Sequence, residues 1–118
     1  MGVSVSEAQM TAAFSRSVRE TVRERAGTRC ELCGTTCHIG HYHHRRPRGM
    51  GGTRREESGQ PSNCLLLHPR CHADVESSRE RAISNGWLVS SFIEPAEVPV
   101  KLWHGLVYLK DDGSFVPA

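Results

Sequence analysis

Two short pairs of potential metal ligands, Cys30-Glu31-Leu32-Cys33 and His68-Pro69-Arg70-Cys71, share the same internal spacing and are separated by residues 34–67. Ligands three positions apart wrap one ion from a tight turn. Two such turns complete a closed tetrahedral shell, the arrangement of structural zinc. Such a tether matters in a chain of 118 residues, because a domain of that size buries a modest share of its surface and gains much from a cross-link. The five cysteines, an odd number, fit a disulfide framework poorly. The segment MGVSVSEAQM lacks a basic stretch followed by an apolar run, so reduced, metal-binding thiols are expected. Structural Zn2+ is therefore expected on Cys30, Cys33, His68 and Cys71. Cys37 is the substitute if His68 is not a ligand, and Cys64, inside an apolar run, reads as a small buried hydrophobe.

Charge is segregated along the chain. Residues 16–55 hold ten arginines against Glu20, Glu24 and Glu31, whereas residues 56–118 hold five basic and nine acidic residues. A basic first half suits a polyanion, and arginine's planar fork suits phosphate oxygens in particular. No apolar stretch approaches the ~20 residues that a membrane helix needs, so no membrane association is expected.

Three segments follow from the patterning. Residues 1–27 read as an N-terminal amphipathic helix: Ser4 and Glu7 form a capping box, and Met10, Phe14, Val18 and Val22 recur at four-residue intervals from Glu7 to Ala26, ending at Gly27. Arg16, Arg19, Arg23 and Arg25, interleaved with Glu20 and Glu24, read as its solvated side. Residues 28–86 carry the chemistry. A cysteine-rich turn leads to a short extended segment, His41 to Arg46, then to a long loop with several glycines, a brief apolar strand Cys64–Leu67, and a helix from about Cys71 to Asn85 stopped by Gly86. Val75, Ala82 and Ile83 form that helix's inner face. Residues 87–118 read as a β-rich extension, WLVSSFIEP and VPVKLWHGLVYLKDDGSFV, turning at His104-Gly105 and Asp111-Asp112-Gly113, with Trp87 and Trp103 as packing residues.

With the zinc ligands assigned, His43, His44, Asn63 and His72 remain as a second polar set. Adjacent strand residues face opposite ways, so His43 and His44 serve different partners, while His41 and His43 share a face and offer an alternative ligand pair. His72 follows Cys71 directly, a helical step of ~100° that lets one turn serve two metals. Histidine takes up a proton near neutral pH, as activation of water against a phosphodiester requires. Arg45, Arg46, Arg48, Arg54 and Arg55 flank the set and are the candidates for DNA-backbone contacts.

The segments CELCGTTCHIGHYHHRRPRGMGG, PSNCLLLHPRCHADVES and NGWLV resemble the small HNH endonucleases, particularly those of bacteriophages and prophages of actinobacteria. The resemblance covers residues 20–90 best. It implies an α+β fold with a ββα-metal (His-Me finger) core, a zinc knuckle, an N-terminal helix and a C-terminal β-hairpin. It further implies that His44 is the general base, that His43 and His72 hold the catalytic ion, and that Asn63 orients the loop and His44. The ion would be Mg2+ or Mn2+, although His43 in place of the family's frequent aspartate also accommodates Ni2+ or Zn2+. Cleavage to 5′-phosphate and 3′-hydroxyl ends, DNA and the phage terminase as partners, and a bacterial cytoplasmic setting are implied likewise. A non-catalytic zinc-ribbon-like nucleic-acid-binding module, or a terminase accessory protein, is the alternative.

Overall fold

The computed structural model describes residues 14–47 and 59–118. Helix α1 spans Arg16–Ala26. Of the helix expected from Glu7, Phe14 and Ser15 are not helical: Ser15 is an extended N-cap whose side chain accepts from Val18 N at 3.3 Å. A serine there satisfies an orphan N–H and contributes about 1 kcal/mol over alanine. The Ser4/Glu7 box and Met10 lie outside the described residues. The helix ends where expected, with Gly27 left-handed (φ 64°), its N–H bonded to Glu24 O and that of Thr28 to Arg23 O.

Residues 28–37 fold into a tight knuckle. Cys30 N donates to Thr35 O and Gly34 N to Cys30 O, each at 2.8 Å. Gly34 is left-handed (φ 79°), and a Cβ there would meet the Trp103 ring at 2.8 Å, so conformation and space both demand glycine. The knuckle is locked to its surroundings by Glu31 N to Leu66 O (2.9 Å) and Trp103 N to Glu31 O (3.0 Å).

Strands β1 (His41–His44) and β2 (Cys64–Leu67) pair antiparallel, with His41 opposite Leu67, Tyr42 opposite Leu66, His43 opposite Leu65 and His44 opposite Cys64. All four residues of β2 are buried. Strand alternation divides them: Leu65 and Leu67 join a core with Cys30, Val75, Ala82 and Trp87, while Cys64 and Leu66 join a second core with Phe14, Val22 and Ala26 of the α1 side. The same alternation sends His41 and His43 to one face of the pair and Tyr42 and His44 to the other.

Helix α2 (Pro69–Ser77) starts on proline, which needs no N–H partner at that position, with His68 as N-cap. The single helix expected to Asn85 is broken at Ser78, whose extended backbone ends α2 and whose hydroxyl caps α3 (Arg79–Ser84) by accepting from Arg81 N. Ile83, expected inward, is 48% exposed because the break re-aims α3, leaving Val75 and Ala82 as the buried positions.

The C-terminal part is a three-stranded antiparallel meander, β3 (Val100–Leu102), β4 (Gly105–Leu109) and β5 (Phe115–Pro117), rather than a hairpin. WLVSSFIEP forms no strand; it runs as turns into a 3-10 turn at Pro95–Glu97. Trp87 is buried and donates Nε1–H to Lys101 O at 2.7 Å. Trp103 departs from the packing expectation: it is half exposed, with one face on Gly34. Val100, Leu102, Val107 and Leu109 share the core of Cys30 and Leu65, so residues 87–118 are built into the main body. The whole is an α+β fold with small antiparallel sheets. Among the described residues no helix is long and apolar enough to cross a membrane.

Candidate functional site

Cys30 and Cys33 from the knuckle and Cys71 from the first turn of α2 present sulfurs that all lie within 4.8 Å of one another. Among the described residues this is the one group of three or more such side chains gathered that closely. Thiolates on a tetrahedral ion at about 2.3 Å stand roughly 3.8 Å apart, so the trio fits a soft divalent metal. No disulfide joins them. Their titration is already split: burial raises Cys33, but hydrogen bonds from Thr35 and the neighbouring thiols outweigh it and bring Cys33 down to about 7. Burial and the adjacent Cys30 and Cys33 push Cys71 up to about 12. Three sulfurs thus compete for protons as they would for one cation.

His68 is beside the trio but not in it. It lines a cavity with Cys33, Thr35, Arg70 and Cys71, and its Nδ1 accepts from Arg70 N at 3.3 Å, which leaves Nε2 as the nitrogen open to a metal. Cys37, the substitute, is buried with its Sγ donating to Ile39 O at 3.6 Å, and Cys64 is buried in the second core, where burial holds its thiol well up.

On the other side of Cys71, the helix step carries His72 toward β1. Its ring lies 5.0 Å from that of His43 and 5.0 Å from that of His41, edge-on to both. Nδ1 of His72 is 2.9 Å from Nδ1 of His41, and its Nε2 is 3.4 Å from a carboxylate oxygen of Glu76. His43 is buried, and its Nε2–H donates to Trp87 O at 2.8 Å; since a carbonyl only accepts, Nδ1 is the atom left with a lone pair. Burial pulls His43 down to about 4 against the Trp87 bond, and burial also lowers His72, opposed by Glu76 and reinforced by His41. Both rings are therefore neutral and able to ligate at pH 7.

His44 goes the other way. It closes β1 facing α1, where its ring stacks on Phe14 with centroids 4.0 Å apart and planes 18° from parallel. Asn63 is fully buried and clamps the next residue: its Oδ1 accepts from Arg46 N at 2.6 Å, its Nδ2 donates to Arg46 O at 3.3 Å, and Arg45 N donates to Asn63 O at 2.9 Å. The side chain continues the β1–β2 ladder past its last residue pair and fixes the backbone leaving His44.

Two of the five arginines expected on DNA are interior. Arg45 is fully buried, donating to Gly86 O, Ser62 O, Pro95 O and Val98 O at 2.8–3.0 Å, and Arg46 is buried with one donor on Ile93 O at 3.1 Å. Burial, with Arg25 nearby, pulls Arg45 down to about 9. Four loop carbonyls take up the Arg45 guanidinium, and both side chains are buried away from the surface where a phosphate would be met, so both are corrected to interior residues. Arg48, Arg54 and Arg55 lie outside the described residues. Arg25, expected on the solvated side of α1, has its side chain buried too: it pairs with both oxygens of Glu31 at 2.8 Å and bonds Pro61 O and Cys64 O.

Sequence reasoning placed Phe14 only on the apolar face of the N-terminal helix and did not single out Glu76 or the Trp87 carbonyl. Glu76 stands four residues after His72 on one helix, a spacing that puts both on one face and was the available signal. No protein-family model matches the chain, and neither the curated proteins nor the solved structures contain a match to it.

Proposed function

We propose that the chain is a zinc-stabilised, metal-dependent DNA endonuclease of HNH type, hydrolysing phosphodiesters to 5′-phosphate and 3′-hydroxyl ends. The observation that carries the reading is the turn at Cys71-His72, where one residue joins a sulfur trio and the next sets its imidazole against the histidines of β1. A strand, a second strand and a helix in that order, with histidines on the first strand and the helix, support a ββα-metal core. The sulfur trio would hold Zn2+, with His68 Nε2 as fourth ligand.

His43 and His72, neutral at working pH, would hold the catalytic cation, Mg2+ or Mn2+ in the family's usual chemistry. A divalent ion held there would supply charge relief for phosphodiester hydrolysis. His44 accepts the proton of the attacking water on an imidazole nitrogen, and Phe14 and the Asn63 clamp hold that ring and its backbone in place. Arg48, Arg54 and Arg55 hold the strand through its phosphates.

The test is supercoiled plasmid incubated with Mg2+ or Mn2+, comparing wild type, His44→Ala and chelator-treated protein. Cutting that needs both His44 and the ion is expected; equal cutting by His44→Ala would remove the assignment of the base. A second reading, an accessory protein docking on a phage terminase without cutting, is favoured by the exposed Trp103, Leu106, Phe115 and Val116 of the C-terminal part. Cleavage by the chain alone decides against it.

A further inference from the structure

His41 stands two residues before His43 on the same face of β1 and is exposed to solvent. Its Nδ1 lies 2.9 Å from Nδ1 of His72, within hydrogen-bond distance. The partner of the other nitrogen fixes what His72 offers in this contact. Nε2 faces the Glu76 carboxylate, which only accepts, so Nε2 carries the hydrogen and Nδ1 presents a lone pair to the Nδ1–H of His41; for both Nδ1 atoms to ligate, His41 changes tautomer and carries that hydrogen on Nε2 instead. A ligating histidine whose second nitrogen is held by a carboxylate is a recurring arrangement around bound metals, because the carboxylate sets the tautomer and raises basicity. Two imidazole nitrogens at about 2.1 Å from one ion, on neighbouring coordination positions, stand about 3.0–3.4 Å apart. The observed separation needs only a few tenths of an ångström of opening to admit a cation.

The donor set decides the kind of ion. Magnesium takes oxygen ligands and gives up water reluctantly, whereas imidazole suits cobalt, nickel, copper and zinc. We propose that His41 and His72 chelate a nitrogen-preferring divalent cation of the late first-row class through their Nδ1 atoms, with Glu76 as the outer partner that orients His72. His43, already fixed by Trp87 O, is the adjacent third imidazole. Two protein ligands leave most of the coordination sphere open to waters or phosphate oxygens, as a working site requires. Use of this ion in cutting rests on the nuclease reading, while the binding does not.

The experiment titrates Ni2+, by calorimetry, into protein carrying a single equivalent of Zn2+, enough for the cysteine centre alone. In parallel, substoichiometric Mn2+ is used to broaden the imidazole proton resonances by its paramagnetism. Wild type should take up one Ni2+ beyond the cysteine centre, with His41 and His72 the first resonances to broaden. His41→Ala should weaken Ni2+ binding at least tenfold, Glu76→Gln by on the order of tenfold, and His38→Ala not at all. A large excess of Mg2+ should fail to displace the ion. His41 is exposed, so its truncation should leave the circular dichroism unchanged; should His72→Ala unfold, His41→Ala and the broadening pattern still decide. No uptake beyond the cysteine centre, undiminished binding by His41→Ala, or displacement by equimolar Mg2+ would each overturn the proposal. Ni2+ bound at these residues with plasmid left intact would keep the site and remove the nuclease reading.

Discussion

Phe14 lies flat against His44, and the stack is made from the last residue before the cap of α1 and the last residue of β1. It places an apolar, fully buried ring behind the imidazole proposed as base, so that α1 contributes to the site without a polar group of its own. Offset or parallel ring pairs contribute about 1 kcal/mol beyond their buried area. Phe14→Leu keeps most of the burial and removes the stack. The expected outcome is a small loss of stability in urea, together with a kcat lowered several-fold at unchanged KM for plasmid cleavage. An unaltered kcat would show that His44 is positioned by its backbone clamp alone.

The Arg25–Glu31 pair is a buried ion pair that joins three parts of the fold. Glu31 sits between the ligands Cys30 and Cys33 and accepts two bonds from Arg25 and one from Leu66 N, while Arg25 reaches on to Pro61 O and Cys64 O. Its carboxylate thus ties α1, the knuckle and β2 at one point, nearly without solvent. Removing one partner of such a pair leaves the other charge buried and costs about 3–5 kcal/mol. Glu31→Gln should lower the urea midpoint accordingly and speed metal release to a chromogenic chelator. Loss of stability with unchanged release would mean that the knuckle keeps its shape without the pair.

The legibility of these features in the sequence follows their range. The cysteine spacing is local, and Cys30, Cys33 and Cys71 do converge. The cap at Gly27 is local too and stands as read, whereas the helix expected from about Cys71 starts two residues earlier, at Pro69. The break at Ser78 was less visible, because Val75 and Ala82 keep a plausible helical period across it. Arg45 was misread for a physical reason: an arginine-rich run before a glycine loop looks solvated, and only the folded chain shows four carbonyls converging on it from residues 62–98. The His41–His72 contact depends on strand register and on where α2 begins, neither of which the alternation along β1 fixes.

Arg45 and the loop arginines should therefore behave in opposite ways. Arg45→Lys replaces a planar five-donor fork with three donors on a point charge, leaving at least one buried carbonyl unpaired, at about 1–3 kcal/mol for such a group. Its urea midpoint should fall while the salt dependence of DNA binding stays the same. Arg54→Gln and Arg55→Gln, proposed for phosphate contact alone, should leave the midpoint within about 0.5 kcal/mol. Each should reduce the slope of log affinity against log salt by about one. A salt slope altered by Arg45→Lys and untouched by both loop variants would return the phosphate contacts to the interior and refute the division.

Metal removal should act on the fold before it acts on any chemistry. The trio joins residues 30 and 33 to residue 71, and Cys30, Leu65 and Val75 share one core, so an ion there would cross-link the knuckle to the start of α2. In small domains of this type the binding free energy of the metal is largely folding free energy. Protein purified without added ions should contain one zinc per chain, and Cys71→Ser should contain none. A strong chelator should lower the thermal midpoint of the wild type by well over the ~4–8 °C that 1 kcal/mol is worth in a domain of this size, and should leave Cys71→Ser unmoved. His68→Ala separates two versions of the centre: if Nε2 is the fourth ligand, zinc affinity falls and a thiol-rich three-coordinate site remains, detectable as a changed Co2+ absorption spectrum. An unchanged spectrum would assign the fourth position to a ligand other than His68.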